Sequence, residues 1–181
     1  MSGERLDLLL KGGRVVDPAN EIDGVYDVGI RDDKIAKVES DILAEDADHV
    51  VDVSGLLVIP GLIDIHIHAY FTRQPGAGLF SSSLNPDAHF PLSGVTTCGD
   101  TGTAGCEEIE HFRKTVMEKA KTRVLAYVNI AAPGMGGPEQ DIRTFDVDGA
   151  AKAALEHSEV VVGIKTAHYW TSKPFDEMHP A

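Results

Sequence analysis

Three ionisable side chains alternate with isoleucine in Leu62-Ile63-Asp64-Ile65-His66-Ile67-His68, directly after Pro60-Gly61. An extended backbone repeats every two residues, so Asp64, His66 and His68 share one face of a strand and the three isoleucines share the other. Two imidazoles one residue apart on such a face sit about 7 Å apart along the strand. That lets both reach one cation at about 2.0–2.1 Å from each ring nitrogen. The pattern points to a metal site with His66 and His68 as ligands and Asp64 as an acceptor that orients one of them. A second group closes the run Val160-Val161-Val162-Gly163-Ile164-Lys165. If its face is shut off from water the neutral amine is favoured, and a neutral lysine can take up CO2 as a carbamate, an anionic ligand with two oxygens. Taken alone, Lys165 reads equally well as a strand-end lysine that reaches out to water.

These side chains meet only if strands bring them together. Residues 1–59 read as short strands, Leu6–Val16, Tyr26–Ile30, Lys34–Val38, Val50–Val53 and Leu56–Ile59, set between Gly, Asp, Asn and Pro, which is the pattern of a small β-sheet layer. Over residues 60–181 the apolar runs Leu62–Ile67, Gly94–Cys98, Val124–Ile130 and Val160–Ile164 alternate with helical stretches, as parallel βα units do. Ile109, Phe112, Val116, Met117 and Ala120 recur at helical spacing, with Glu107 and Glu108 at the start and Lys119 and Lys121 at the end. A second helix, Val147–His157, can start from Asp146 or Asp148. An eight-unit barrel of this pitch needs about 250 residues, so the α/β portion supplies about four units, half of a closed barrel. The alternative is a complete small open sheet, but no G-x-G-x-x-G loop follows the first run.

Composition narrows the classes of function. The 181 residues are 43% hydrophobic and 25% charged, with a formal net charge of −13, so phosphate backbones and anionic membrane surfaces are repelled. Nucleic acid and membranes are not expected partners. Cys98 and Cys106 cannot form a disulfide framework. The start, Met1-Ser2-Gly3-Glu4-Arg5, lacks a basic segment followed by an apolar run, and no stretch approaches the roughly 18 apolar residues of a membrane span. A cytoplasmic setting is the expectation, with assembly into a homo-oligomer left open.

Through Pro60-Gly61-Leu62-Ile63-Asp64-Ile65-His66-Ile67-His68 and the strand end Gly163-Ile164-Lys165, the chain resembles the amidohydrolase superfamily. The order of parts is similar too: a β-rich start, the paired histidines, then a lysine about a hundred residues later. The resemblance implies a (β/α)8 TIM barrel, here its first half, preceded by strands of a small β-sandwich. It implies that His66 and His68 bind the more buried of two divalent ions, zinc by expectation, and that Lys165, carrying a CO2-derived carbamate, bridges both. Two more histidines from later strands and an aspartate from the eighth, the proton shuttle, would complete the site. The chain as given carries no such catalytic residue and needs the C-terminal half of the barrel.

The resembled chemistry is hydrolysis of an amide or ester bond in a small molecule. Two cations roughly 3.5–4 Å apart activate a bridging hydroxide and polarise the carbonyl. Segments such as His66-Ile67-His68-Ala69-Tyr70 and Gly94-Val95-Thr96-Thr97-Cys98-Gly99-Asp100 look like the deacetylase branch. Dihydroorotases carry an arginine where this chain has Tyr70. Other readings are a cyclic amidohydrolase of the dihydroorotase or hydantoinase type, a single-metal deaminase in which Lys165 is structural, and a non-catalytic barrel scaffold. Among further candidates, Asp100 reads as a substrate contact or as a cap or turn aspartate in Asp100-Thr101-Gly102, His168 as a substrate contact or a plain loop histidine, and Arg73 and Lys173 as candidate partners for an acidic substrate. Cys98 reads as a core side chain, and the loop from Ala69 to Pro91 as a lid or a mobile segment.

Overall fold

Asp32 and Asp33 both take left-handed backbone angles, φ 50° and 60°, the geometry of a two-residue turn whose twist matches that of a β-hairpin. They join β2 (Ile22–Arg31) to β3 (Lys34–Glu39). The computed structural model describes residues 5–71 and 83–166, and the chain divides into two units, Met1–Pro60 and Gly61–Ala181. In the first, β1 (Leu6–Asp17) is central, antiparallel to β2 and parallel to β4 (Ala47–Asp52) and the short β5 (Leu57–Val58). The five strands form one mixed sheet, and Leu6, Leu9, Ile42 and Ala47 make its small core.

Asp27 ties that core to its loops. Its carboxylate is buried and accepts from Gly12 N at 2.8 Å, Ile42 N at 2.9 Å and Lys11 Nζ at 2.8 Å. Burial works to raise its pKa, yet these donors win and hold it below the ordinary carboxylate value.

The second unit is a four-stranded parallel sheet in the order β6 (Leu62–Ile67), β7 (Val95–Gly105), β8 (Arg123–Asn129) and β9 (Val161–Lys165). Sequential order with parallel pairing is what consecutive βα units give. The described α-helices are α1 (Pro86–His89), α2 (Ile109–Phe112) and α3 (Val147–Glu156). Phe112, Ile109, Ala150 and Ala153 pack with Cys98, Val124, Val128 and Val161 in the main core. Asp146 caps α3 by accepting from Gly149 N at 2.8 Å, settling the choice between two candidate caps.

Three sequence expectations change. The strand read as Gly94–Cys98 runs on to Gly105, because Asp100-Thr101-Gly102, which looks like a turn, is held in the sheet by bonds across to β6. The single amphipathic helix gives way after α2 to a π-helical segment, Arg113–Met117. There Glu118 N reaches Arg113 O at 3.0 Å, Thr115 Oγ1 donates to His111 O at 2.7 Å, and Arg113 pairs with both Glu110 and Glu118. Part of the loop before Pro91 is α1, whose Asp87 accepts from Lys121 N at 2.9 Å and Thr122 N at 2.8 Å, so this stretch is anchored. Residues 72–82 of that loop lie outside the described residues.

Strands β6 and β9 are the edges of the parallel sheet. Ile63 and Ile65 on β6 are 65% and 72% exposed, and Val162 and Ile164 on β9 are exposed as well. Buried parallel strands are apolar on both faces, and here that pattern stands open at both edges.

A carboxylate with a depressed folded pKa adds stability that is complete above its unfolded pKa and is lost as pH falls through the folded value. Asp27→Asn, which sets an amide against two N–H donors and an ammonium, is expected to cost about 1–3 kcal/mol at neutral pH. The cost should shrink below pH of about 4. Urea denaturation of both proteins across this range checks it, and a difference that ignores pH would contradict the role given to the charge.

Candidate metal centre

His66 and His68 project from the carboxyl end of β6 and just beyond it, with ring centroids 5.7 Å apart and planes nearly perpendicular. His66 is exposed and His68 half-buried. Asp64, expected to orient a ligand, instead accepts from the backbone N–H of His66 at 3.1 Å.

The orientation of His68 comes from β7. Asp100 is fully buried, and its Oδ2 accepts from Ala69 N at 2.7 Å, Tyr70 N at 3.3 Å and Thr103 Oγ1 at 2.9 Å, while Oδ1 accepts from Thr103 N at 2.8 Å. With its hydroxyl proton committed to Asp100, Thr103 Oγ1 can only accept from His68 Nδ1, 2.8 Å away. That assigns the proton of His68 to Nδ1 and leaves the Nε2 lone pair free. Burial lowers the pKa of His68, with the charges of His66 and Lys165 acting the same way and Asp100 and Glu139 opposing, so the neutral imidazole that a metal needs is favoured. Burial likewise lifts Asp100 above the ordinary carboxylate value, against the pull of its donors and His68.

Lys165 ends β9, half-buried, and its Nζ donates to Thr101 O at 3.3 Å. Its stem lies over Gly102, where φ is +80° and a Cβ would meet Lys165 Cγ and Cβ at 2.7 and 2.8 Å. Glycine is required there twice, for the backbone angle and for the space. Asn129, on β8 and in register with Lys165, holds the same segment by donating from Nδ2 to Gly102 O at 2.8 Å.

The structure therefore brings His66, His68 and Lys165 to one end of one sheet. Among the described residues no three His, Cys, Asp or Glu side chains converge to hold an ion by themselves, so a donor set at this end would have to combine the two imidazoles with the lysine. This set suits a divalent ion: neutral nitrogen ligands, one of them locked in tautomer, and an amine that becomes a two-oxygen anion on carbamylation. Asp100, expected at the substrate, has both oxygens occupied and no exposure, and it acts on His68 through Thr103. His168, Arg73 and Lys173 lie outside the described residues. Cys98 is buried among apolar side chains, and burial, helped by Asp100, pushes its thiol up to about 11, as an inert core cysteine.

Tyr70 turns away from the site. It is buried, donates to Glu108 Oε2 at 2.5 Å, lies 2.8 Å from His111 Nδ1 and stacks near Phe112 at 4.8 Å between centroids. A cavity of about 270 Å³ beside it, lined by Ala69, Leu84, Asn85, Thr115, Val116 and Lys119 among others, includes none of the histidine or lysine donors.

Sequence reasoning missed Thr103, Gly102, Asn129 and Glu139. Asn129 had a usable signal, since an amide closing a parallel strand in register with Lys165 marks the same end of the sheet. Glu139, in the loop after β8, had none.

Gly94 has φ of +74° with nothing within 4 Å of an added Cβ, which makes it a control for Gly102. Gly94→Ala should lose about 1–2 kcal/mol for the left-handed backbone alone, and Gly102→Ala should lose more because the Lys165 stem must move. Denaturation of the two variants compares them, and equal losses would show that Gly102 does not seat the lysine.

No family model matches the chain. It is 32% identical over 139 residues to a deacetylase of Agrobacterium fabrum, covering 74% of this chain and 33% of that protein. It is also 32% identical over 151 residues to a dihydroorotase of Bacillus cytotoxicus, covering 80% and 34%. Among solved structures it matches an adenine deaminase with a TM-score of 0.68 at 32% identity, covering 88% of this chain and 40% of that one. The chain thus spans about a third of the length of these curated relatives. Residues 1–181 thus belong to the amidohydrolase superfamily, as part of its (β/α)8 fold.

Proposed function

We propose that this chain carries the histidine-and-lysine half of a binuclear, zinc-dependent hydrolase site that cleaves an amide or ester bond of a small molecule, in the manner of a deacetylase. The observation that carries the reading is the chain Asp100–Thr103–His68, which spends a buried carboxylate on presenting one imidazole nitrogen outward. His66 and His68 would hold the more buried ion, and Lys165, as a carbamate, would bridge it to a second. Bound divalent ions would supply polarisation of the scissile carbonyl and an activated water.

The protein's own groups set geometry and exclude alternatives. Thr103 fixes the His68 ring, Gly102 and Thr101 O seat Lys165, and Asp64 stays on its own backbone. Tyr70, bonded to Glu108 and set beside His111, does not face this site. A substrate carboxylate would thus have to be held elsewhere, which sets the chain apart from the arginine-bearing dihydroorotase pattern. No carboxylate of the described strands is free at the site to deliver a proton to the leaving group. We place that shuttle, and the remaining ligands, on four further strands that pair with the open edges β6 and β9. Free Cys98 and Cys106 suit a reducing, cytoplasmic setting.

Deamination is a second reading, favoured by the 32% identity to an adenine deaminase structure. Assay of the full-length protein against N-acyl amino acids and aminopurines separates the two: acid release supports deacylation, and ammonia release supports deamination. About two divalent ions per chain are expected on metal analysis, and none would indicate a scaffold instead. Thr103→Val, which keeps shape and removes the link to Asp100, should weaken zinc binding about 10–100-fold, measured by zinc titration. Residues 1–181 alone should show no metal-dependent turnover, and sustained turnover would refute the division of the site.

A further inference from the structure

We propose that Glu139 is the buried counter-charge of the metal centre, a positioning residue held by Asn129 that acts on the ligand side chains without touching them. The inference rests on the reading of His66, His68 and Lys165 as metal-binding residues.

Glu139 is 3% exposed, yet it lies in a single 3-10 turn, Gly137–Gln140, outside the sheet, where a glutamate would ordinarily reach water. Its Oε1 accepts from Asn129 Nδ2 at 2.6 Å and its Oε2 from Gly136 N at 3.0 Å. Both donors are neutral, and among the described residues no cationic side chain forms an ion pair with it. A buried carboxylate left without a positive partner is costly, so its retention needs a reason beyond capping one short turn.

The route to the site is short. Asn129 is fully buried and uses one amide group for two tasks, donating to Glu139 Oε1 and to Gly102 O at 2.8 Å, while its Oδ1 accepts from Ala131 N at 3.0 Å. Gly102 carries the Lys165 stem, and Thr101 O receives Lys165 Nζ.

Charge balance supplies the reason. Two divalent cations held by neutral imidazoles and a singly charged carbamate would leave an excess of positive charge on that end of the sheet, even after an aspartate and a bridging hydroxide are counted. A carboxylate fixed one layer behind the ligands offsets it through a poorly screened interior. It does so without taking up a coordination position.

The experiment compares zinc titrations and zinc-induced melting shifts for the full-length wild type, Glu139→Gln and Glu139→Asp, with circular dichroism to verify folding. Glu139→Gln keeps the size and removes the charge, while Glu139→Asp keeps the charge and shortens the reach. Zinc affinity is expected to fall about 10–100-fold in Glu139→Gln, with a smaller zinc-induced rise in melting temperature, and to fall less in Glu139→Asp. A purely structural glutamate would lower the melting temperature of the metal-free protein but leave the zinc affinity of the folded fraction unchanged, which would overturn the proposal. The reverse order of the two variants, or failure of both to fold, would overturn it too. Absence of zinc binding in the wild type would instead defeat the hydrolase reading on which it stands.

Discussion

A carboxylate with no water around it must find its donors within the protein, and at Asp100 that necessity organises the end of the sheet. Ala69 and Tyr70 follow β6, whereas Asp100 and Thr103 belong to β7, so its hydrogen bonds lock the exit of one strand to the body of the next. Such charge-assisted bonds are stronger than neutral ones and are unshielded here. The lock fixes where the chain leaves β6, and so where His68 begins. Through Thr103 it also fixes which way the ring faces. Backbone path and side-chain tautomer thus depend on one anion.

The same strand solves a second problem two residues further on. For Asp100 Oδ1 to reach Thr103 N, the chain between them must tighten, and Gly102 takes the left-handed angle that allows it. The bulge shifts the β7–β8 register between Thr101 and Gly105. It turns Thr101 O toward Lys165 and opens the space that the lysine stem fills. The His68 side and the lysine side of the centre are therefore consequences of one local distortion, although they come from strands that do not pair with each other.

How much of this could be read in the sequence follows from which features are local. The alternation of Asp64, His66 and His68 with isoleucine is a property of any extended backbone, so the shared face was legible, as was Lys165 at a strand end. Helix α3 was legible from its own local signals, with its cap narrowed to Asp146 or Asp148. Strand β7 was not, because Asp100-Thr101-Gly102 carries the chemistry of a turn and is kept in the sheet by partners distant in the chain, about thirty residues earlier at the end of β6 and about twenty-five later on β8. The π-helical turn at Arg113–Met117 was hidden because apolar spacing fits a regular helix there, while Glu118 and Thr115 draw the carbonyls of Arg113 and His111 into a wider turn. Glu139 was invisible because nothing beside it in sequence predicts burial.

The distribution of buried polar groups over the sheet bears on whether this unit works as a catalyst or only as a support. Along the buried part of β7 the side chains change from Cys98, in the apolar core, to Asp100, Thr101 and Thr103. On β8 the same change runs from Val124, Ala126 and Val128 to Asn129. The polar groups gather at the carboxyl ends of adjacent strands, where barrel enzymes place their sites. A scaffold gains nothing from such a gradient, since buried ionisable groups could be exchanged for packed apolar ones at no loss of stability, and often with a gain. What the gradient does achieve is rigidity: hydrogen bonds tie His68 through Thr103 to Asp100, and Glu139 through Asn129 to Gly102. A site that must hold ligand atoms in place before any ion arrives needs that rigidity, and among the described residues of the second unit both buried carboxylates, Asp100 and Glu139, are bonded into it.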